Sequence, residues 1–174
     1  MEKKNFDFDF GGKKINLEIS NLAEQANGSV MARMGDTVVI ANCVMSRNMR
    51  EGIDFFPLMV DYEEKFYAAG KMMGSRFIKR ENRPSESAVL SGRLIDRAIR
   101  PLFNPLMRNE IQVISTILCI DGENDPDIVG LIAASCAVHM SDIPWEGPIA
   151  DIRVGQVGGE WVINPSYEAR GKSI

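Results

Sequence analysis

The chain has 174 residues, of which 45% are hydrophobic and 25% are charged, and this length and composition allow one domain with a buried core. No apolar run reaches the ~18 residues of a transmembrane helix, and the first residues lack the apolar block of a secretory signal. The 3 cysteines are odd in number and widely spaced, which argues against a disulfide framework. We therefore expect a cytoplasmic protein in which each cysteine is a small buried residue.

The first third of the sequence predicts a series of strands. Phe6, Phe8 and Phe10 alternate with acidic residues, as in a half-buried strand, and Gly11-Gly12 has the form of a two-residue hairpin turn. Further strands are predicted at residues 15–19, 28–34, 37–44 and 55–62. The continuous β-branched run at 37–44 is typical of a central strand that is covered on both faces. Together these segments predict an antiparallel meander.

A basic helix is predicted after this meander. Pro84-Ser85 has the pattern of a helix start, and Pro101 predicts the end of the helix. The basic positions fall within about 60° of one another and form one stripe, while Asp96 is expected to point aside. The basic positions are Arg93, Arg97 and Arg100, and the opposite side, expected to pack on a core, has Leu94, Ile95, Ala98 and Ile99.

The positive charge of the chain is concentrated in and before this helix. Between Lys65 and Arg100 there are nine Lys or Arg and three acidic residues, a local net charge of +6 in a chain of net charge −4. Phe77 lies among cations, and such a mixture suits single-stranded nucleic acid, because bases stack on the ring and cations hold the phosphates. Three simpler interpretations stay open: Phe77 as a buried anchor, a solvated basic face, and pairing with the chain's own acidic residues.

The second half predicts a buried strand at 111–120 and a buried helix at 128–140. The acidic turn between them resembles a calcium loop only at its start, because Pro126 stands where Gly is needed and Ile132 where Glu is needed. We expect Asp125 to be the helix N-cap instead. His139, the single histidine, lacks a neighbouring nucleophile motif and is expected to be structural. A hairpin is predicted around Gly158-Gly159, and residues 165–174 look like a severed connection to further protein.

Several of these segments follow one another in a recognisable order. They are DFFPLMVDYEEKFYAAGK, RFIKRENRPSE, SGRLIDRAIRPLF, NDPDIVGLIAAS and IPWEGPIADIRVG. In this succession, from about Phe6 to Pro165, the chain resembles the first RNase PH-type core of the bacterial polynucleotide phosphorylases. The loop departs from the family pattern at Met72-Met73-Gly74, at an extra Arg76 and at Asn82, which affects its shape rather than its chemistry.

The resemblance implies an α+β fold, an RNase PH-like βαβα domain with a mostly antiparallel or mixed sheet and two packed helices. Residues 1–174 would be this first core, truncated at its C-terminus. The implied parent enzyme is a phosphorolytic 3′-to-5′ exoribonuclease, in which inorganic phosphate is the co-substrate and nucleoside diphosphates are released. The implied partners are single-stranded RNA, a second core of the same chain and two further copies in a trimeric ring, with no membrane.

The resemblance also assigns residues. The family's channel-constriction loop matches Phe77, Lys79, Arg80 and Arg83, which are therefore expected to bind RNA. The role of the helical stripe follows instead from its chemistry, since guanidinium groups suit phosphate: Arg93, Arg97 and Arg100 are expected to bind phosphate or RNA, or to pair with a neighbouring core. The family's catalytic residues and its Mg²⁺ ligands belong to the second core, so this chain alone is expected to be inactive. The alternatives are a purely structural assembly module, with the arginines in intersubunit or inter-core salt bridges, and an independent nuclease, which would need its own catalytic carboxylates.

Overall fold

A computed structural model describes residues 3–20, 22–72 and 83–170 of the chain. The main sheet has six strands in the order β1-β2-β3-β4-β6-β5, and two further strands form a separate hairpin. The strands are β1 Lys4–Phe10, β2 Lys13–Ile19, β3 Gly28–Met34, β4 Thr37–Met49, β5 Leu58–Glu63, β6 Asn109–Cys119, β7 Val154–Val157 and β8 Glu160–Ile163. The helices are α1 Glu86–Ile99, α2 Pro126–Met140 and the single turn α3 Tyr167–Arg170, with short 3₁₀ turns at Phe66–Ala69 and Arg100–Leu102. The predicted α+β class, with a mixed sheet and two packed helices, is confirmed.

The first four strands form the predicted antiparallel meander. Gly11 and Gly12 adopt φ of 64° and 83°, the left-handed conformation that a tight two-residue turn requires. The prediction that residues 55–62 continue the meander is wrong, because β6 lies between β4 and β5. β5 is the edge strand of the described sheet and pairs with β6 in parallel, with Val60 opposite Val113. Hydrophobic alternation identifies a strand but not its partner, and the α1 crossover allows the parallel pairing.

Both long helices lie on one face of the sheet, since Gly92 of α1 and Gly130 of α2 each approach Tyr62. On that face Val39, Ala41 and Val113 are fully buried. Val44, on the opposite face of β4, is 42% exposed. The prediction that 37–44 is covered on both faces is therefore wrong, because among the described elements the helices supply a single layer.

The edge strand β1 also differs from its prediction. Phe6 and Phe8 are exposed rather than half-buried, and of the three phenylalanines only Phe10 packs against the core. The physical reason is position, because β1 lies at the edge of the sheet, while α2 packs on β3, β4 and β6.

α2 is buried almost all round, as predicted. The sheet covers one side, and the segment that follows the helix returns over the other, where the Ile149 N–H donates to Ser135 Oγ at 2.9 Å. Asp125 takes the extended N-cap conformation as predicted, but its side chain makes no capping hydrogen bond. It accepts hydrogen bonds from Arg153 and Arg170 instead, which fixes the β7–β8 hairpin and α3 to the start of α2.

The cysteines and the histidine are placed differently from one another. Cys43 is buried and its thiol donates to the Ala137 carbonyl at 3.3 Å, whereas Cys119 is exposed at the end of β6. The expectation of burial is therefore wrong for Cys119, since the strand leaves the core at that residue. His139 is exposed near the end of α2. No helix in the described ranges has the length and apolar character needed to cross a membrane.

Candidate functional site

The loop that contains most of the predicted RNA contacts is only partly described. Phe77, Lys79 and Arg80 fall within 73–82, outside the described residues, so their role stays a prediction. Arg83 is described and is exposed just before α1. We therefore built the site from the two ends of the loop and from α1.

The two ends of the loop are tied together by one serine. Ser85 is the N-cap of α1, where its Oγ accepts from the Ala88 N–H at 3.0 Å. The same hydroxyl donates to Glu64 Oε2 at 2.6 Å. Because Glu64 directly follows β5, this hydrogen bond closes the base of the segment between them. Arg83 stands two residues before this serine.

The three arginines of α1 do not form one equivalent stripe. Arg93 and Arg97 are exposed and have no ion-pair partner among the described residues. Arg100 is half-buried and forms a bidentate pair with Asp96, with Nη2–Oδ1 at 2.6 Å and Nε–Oδ2 at 3.1 Å. It also donates to the Leu58 carbonyl at 3.1 Å. The expectation that Asp96 points aside is wrong, because the i, i+4 spacing brings its carboxylate to Arg100.

A groove of about 320 Å³ runs along the junction between α1 and β5. Arg93 and Arg100 line it from the helix, and Asp61 lines it from the strand. Asp61 accepts a hydrogen bond from Gln112 Nε2 at 3.0 Å. Burial raises the pKa of Tyr62 at the groove wall, so its phenol stays protonated and neutral. Because Arg100 is already paired with Asp96 and the phenol of Tyr62 is neutral, an anionic group in the groove would be attracted mainly by Arg93.

The outer surface of α1 combines apolar and cationic side chains. Val89, Leu90 and Leu94 are exposed, so the expectation that Leu94 packs on the core is wrong. The buried side of the helix has Ala88, Gly92, Ile95 and Ile99. Sequence reasoning missed the apolar part of the outer surface, although the i, i+4 spacing of Leu90 and Leu94 next to the arginines was a usable signal.

The acidic turn before α2 is an internal hydrogen-bonded structure. Asp121 Oδ1 accepts from the backbone N–H groups of Glu123 and Asn124, both at 2.8 Å, and from Thr37 Oγ1 at 3.0 Å. Partial burial favours a raised pKa, but these hydrogen bonds outweigh it and hold the pKa of Asp121 well below its usual value. Within the described parts of the chain, no group of three or more His, Cys, Asp or Glu side chains is placed to hold a metal ion.

Comparisons with known proteins agree with this fold. The sequence model described as "3′ exoribonuclease family, domain 1" matches residues 11–144. A polyribonucleotide nucleotidyltransferase from Heliobacterium modesticaldum is 54% identical over 168 residues, which are 97% of this chain and 24% of that protein. The enzyme of the same name from Pelotomaculum thermopropionicum is 55% identical over 163 residues, 94% of this chain and 22% of that protein. The chain thus spans about a quarter of the length of these curated relatives.

Two solved structures share the fold at low sequence identity. The crystal structure of rice Rrp46 aligns with a TM-score of 0.70 and 15% identity, covering 91% of this chain and 71% of that one. The Archaeoglobus fulgidus exosome with RNA bound to the active site aligns with a TM-score of 0.60 and 21% identity, covering 89% and 67%. The resemblance to polynucleotide phosphorylases is confirmed by the names of the relatives. Because the family match spans most of its length, the chain belongs to the RNase PH family, the 3′ exoribonuclease family.

Proposed function

We propose that residues 1–174 are the first RNase PH-type core of a polyribonucleotide nucleotidyltransferase. The full-length enzyme would degrade RNA from its 3′ end with inorganic phosphate, and this core would bind single-stranded RNA and contribute to a trimeric ring in the cytoplasm. The observation that carries the proposal is identity of 54% and 55% to relatives of that name over nearly the whole chain.

The reaction needs concentrated positive charge. An oxygen of inorganic phosphate attacks the terminal phosphorus, the P–O3′ bond breaks, and the leaving 3′ oxygen takes up a proton. Negative charge spreads over the phosphoryl oxygens as this happens, and guanidinium groups stabilise it through paired hydrogen bonds. Guanidinium groups bind the phosphates of RNA in the same way, and Arg93 and Arg97 suit that binding role, because they are exposed and have no carboxylate partner in the described structure.

The described acidic residues do not fit a Mg²⁺ site. Asp96 is paired with Arg100, Asp125 with Arg153 and Arg170, and Asp121 accepts hydrogen bonds from its own turn. As the family resemblance implies, Mg²⁺ would be held by the second core of the full-length enzyme, and we attribute no catalytic step to it here. The isolated chain should not release nucleoside diphosphates from RNA and phosphate, whereas phosphate-dependent release by the purified chain would support an independent nuclease.

One observation favours a second candidate, a purely structural assembly module. The exposed Leu90 and Leu94 lie beside Arg93 and Arg97, and apolar side chains mixed with arginine are typical of protein interfaces. In that case the arginines would form salt bridges with another core or subunit.

The two candidates separate in the full-length protein. Lys79→Ala combined with Arg80→Ala should weaken RNA binding and reduce the slope of log K against log salt by about 1.4, because about 0.7 is lost for each phosphate contact to a single strand. Lys4→Ala with Arg50→Ala removes the same charge elsewhere and serves as the control. The assembly module would be favoured by two results together. The loop variant would keep its RNA affinity, and the trimeric ring of a Leu90→Lys variant would dissociate.

A further inference from the structure

An exposed aromatic side chain stands at the base of the loop and has no assigned role. Tyr67 belongs to the 3₁₀ turn Phe66–Ala69 and is 54% exposed. Within the described residues its hydroxyl makes no hydrogen bond, and the nearby exposed Lys71 has no ion-pair partner. An aromatic ring and a cation, both without a partner in the described ranges, are the groups with which proteins bind one base and one phosphate of a single strand.

The backbone holds this ring in a fixed position. Ala68 is buried, and its carbonyl accepts from the Ile120 N–H at 3.0 Å, which fastens the turn to the end of β6. The turn closes with Gly70 in the left-handed conformation, where its N–H donates to the Tyr67 carbonyl at 2.9 Å. Because the turn is already ordered, Tyr67 would lose little conformational entropy on binding a ligand.

The turn also lies next to the proposed RNA-binding loop. The hydrogen bond from Ser85 to Glu64 brings the two ends of the loop together, so Tyr67 and Lys71 follow one end while Arg83 precedes the other. Tyr67, Lys71 and Arg83 therefore belong to the two chain segments that this hydrogen bond joins, on either side of the segment that is predicted to bind RNA.

We propose that Tyr67 is an RNA-stacking residue, with one base of single-stranded RNA on its ring and the adjacent phosphate on Lys71. The inference rests on the proposed function and extends the RNA path from the loop to the turn that precedes it. Stacking of this kind is tolerant of sequence, because every base presents a π face.

The test compares three variants of the full-length protein by the fluorescence anisotropy of a labelled oligoadenylate. Tyr67→Ala should weaken binding about 10-fold, and Tyr67→Phe should retain affinity, because the ring and not the hydroxyl stacks. Phe55→Ala is the matched control, since Phe55 is 59% exposed and precedes β5, about 20 Å from the end where Tyr67 lies. Its affinity should be unchanged.

Salt dependence distinguishes the two contacts. Tyr67→Ala should lower affinity equally at all salt concentrations, because a neutral ring releases no counterions, whereas Lys71→Ala should reduce the salt slope by about 0.7. Equal affinity of Tyr67→Ala and Phe55→Ala would overturn the inference. The inference would also be overturned if the Tyr67→Ala variant keeps its RNA affinity but no longer assembles into a trimer, since the side chain would then belong to a subunit contact.

The inference and the proposed function fail in different ways. If the double substitution at Lys79 and Arg80 weakens binding but Tyr67→Ala does not, only the stacking role is lost. If neither affects affinity, the RNA-binding role of this core is wrong.

Discussion

The buried ion pairs at the start of α2 predict an unusual pattern of stabilities. The Asp125 side chain is 7% exposed and is paired with both Arg153 and Arg170. Arg153 also pairs with Asp127, with Nη2–Oδ2 at 2.9 Å. Burial alone would lower the pKa of Arg153, but the carboxylates of Asp127 and Asp125 raise this pKa by more than burial lowers it. The guanidinium therefore stays charged.

Removing one arginine should cost less than half as much as removing both. Arg170→Met leaves Asp125 paired with Arg153, and Arg153→Met leaves it paired with Arg170, so each should lower the free energy of unfolding by about 1 kcal/mol. The loss should be slightly larger for Arg153→Met, because that variant also loses the pair with Asp127. The double variant leaves a buried carboxylate without a cationic partner, which costs about 3–5 kcal/mol. The double variant should therefore lose at least ~1 kcal/mol more than the two single variants together.

Urea unfolding of the unmodified protein, the two single variants and the double variant, followed by circular dichroism, measures this coupling. With a slope of about 1–3 kcal/mol/M, the double variant should unfold at a urea concentration lower by ~1 M or more. Adding Asp125→Asn to the double variant should recover part of the loss, because it removes the unpaired charge and nearly preserves the shape. Additive single effects, or no recovery with asparagine, would refute the reasoning that the carboxylate needs a partner.

Two further predictions follow from backbone contacts and from a shifted pKa. Gly28→Ala should lower the free energy of unfolding by about 3 kcal/mol or more, because its Cβ would lie 2.2 Å from the Ala137 carbonyl oxygen. Gly92→Ala, whose Cβ would lie 3.4 Å from the Val60 carbonyl oxygen, should be tolerated. Thermal melts of both variants measure the difference, and equal losses would contradict the steric argument. The lowered pKa of Asp121 stabilises the fold above the unfolded value near 4, and this stabilisation is lost as the pH falls through the folded value. Asp121→Asn should therefore lower stability at pH 7 by about 1–3 kcal/mol and by much less at pH 2 in urea titrations, whereas a loss independent of pH would count against the role of the charge.

Local signals in the sequence predicted local structure well. Gly11-Gly12 specified a hairpin turn because few other residues accept two consecutive positive φ angles, and the structure has both. Pro84-Ser85 was correctly identified as a helix start with Ser85 or a neighbouring serine as the cap, and the structure has Ser85 in that place, where its hydroxyl accepts from the N–H of Ala88. In each case the determining contact lies within a few residues along the chain.

Signals that depend on distant partners were less informative. The sequence gives no indication that β6 separates β4 from β5, because pairing is decided by which neighbours bury the shared face. Asp125 carries the signature of an N-cap, but its carboxylate binds Arg153 and Arg170, which lie far along the sequence. The candidate site was predicted in part: Arg93 and Arg97 are exposed as expected, while Arg100 is neutralised by Asp96.

The position of β6 constrains how the chain can fold during its synthesis. β5 ends at Glu63, but β6, its neighbour in the described sheet, begins at Asn109 and is completed at Cys119. A nascent chain that has emerged only as far as α1 can form the meander. However, β5 and the helix that packs on it cannot join the sheet until the residues of β6 have been translated. Such late, non-local pairing slows folding, so assembly of this domain should become cooperative only after β6 has left the ribosome.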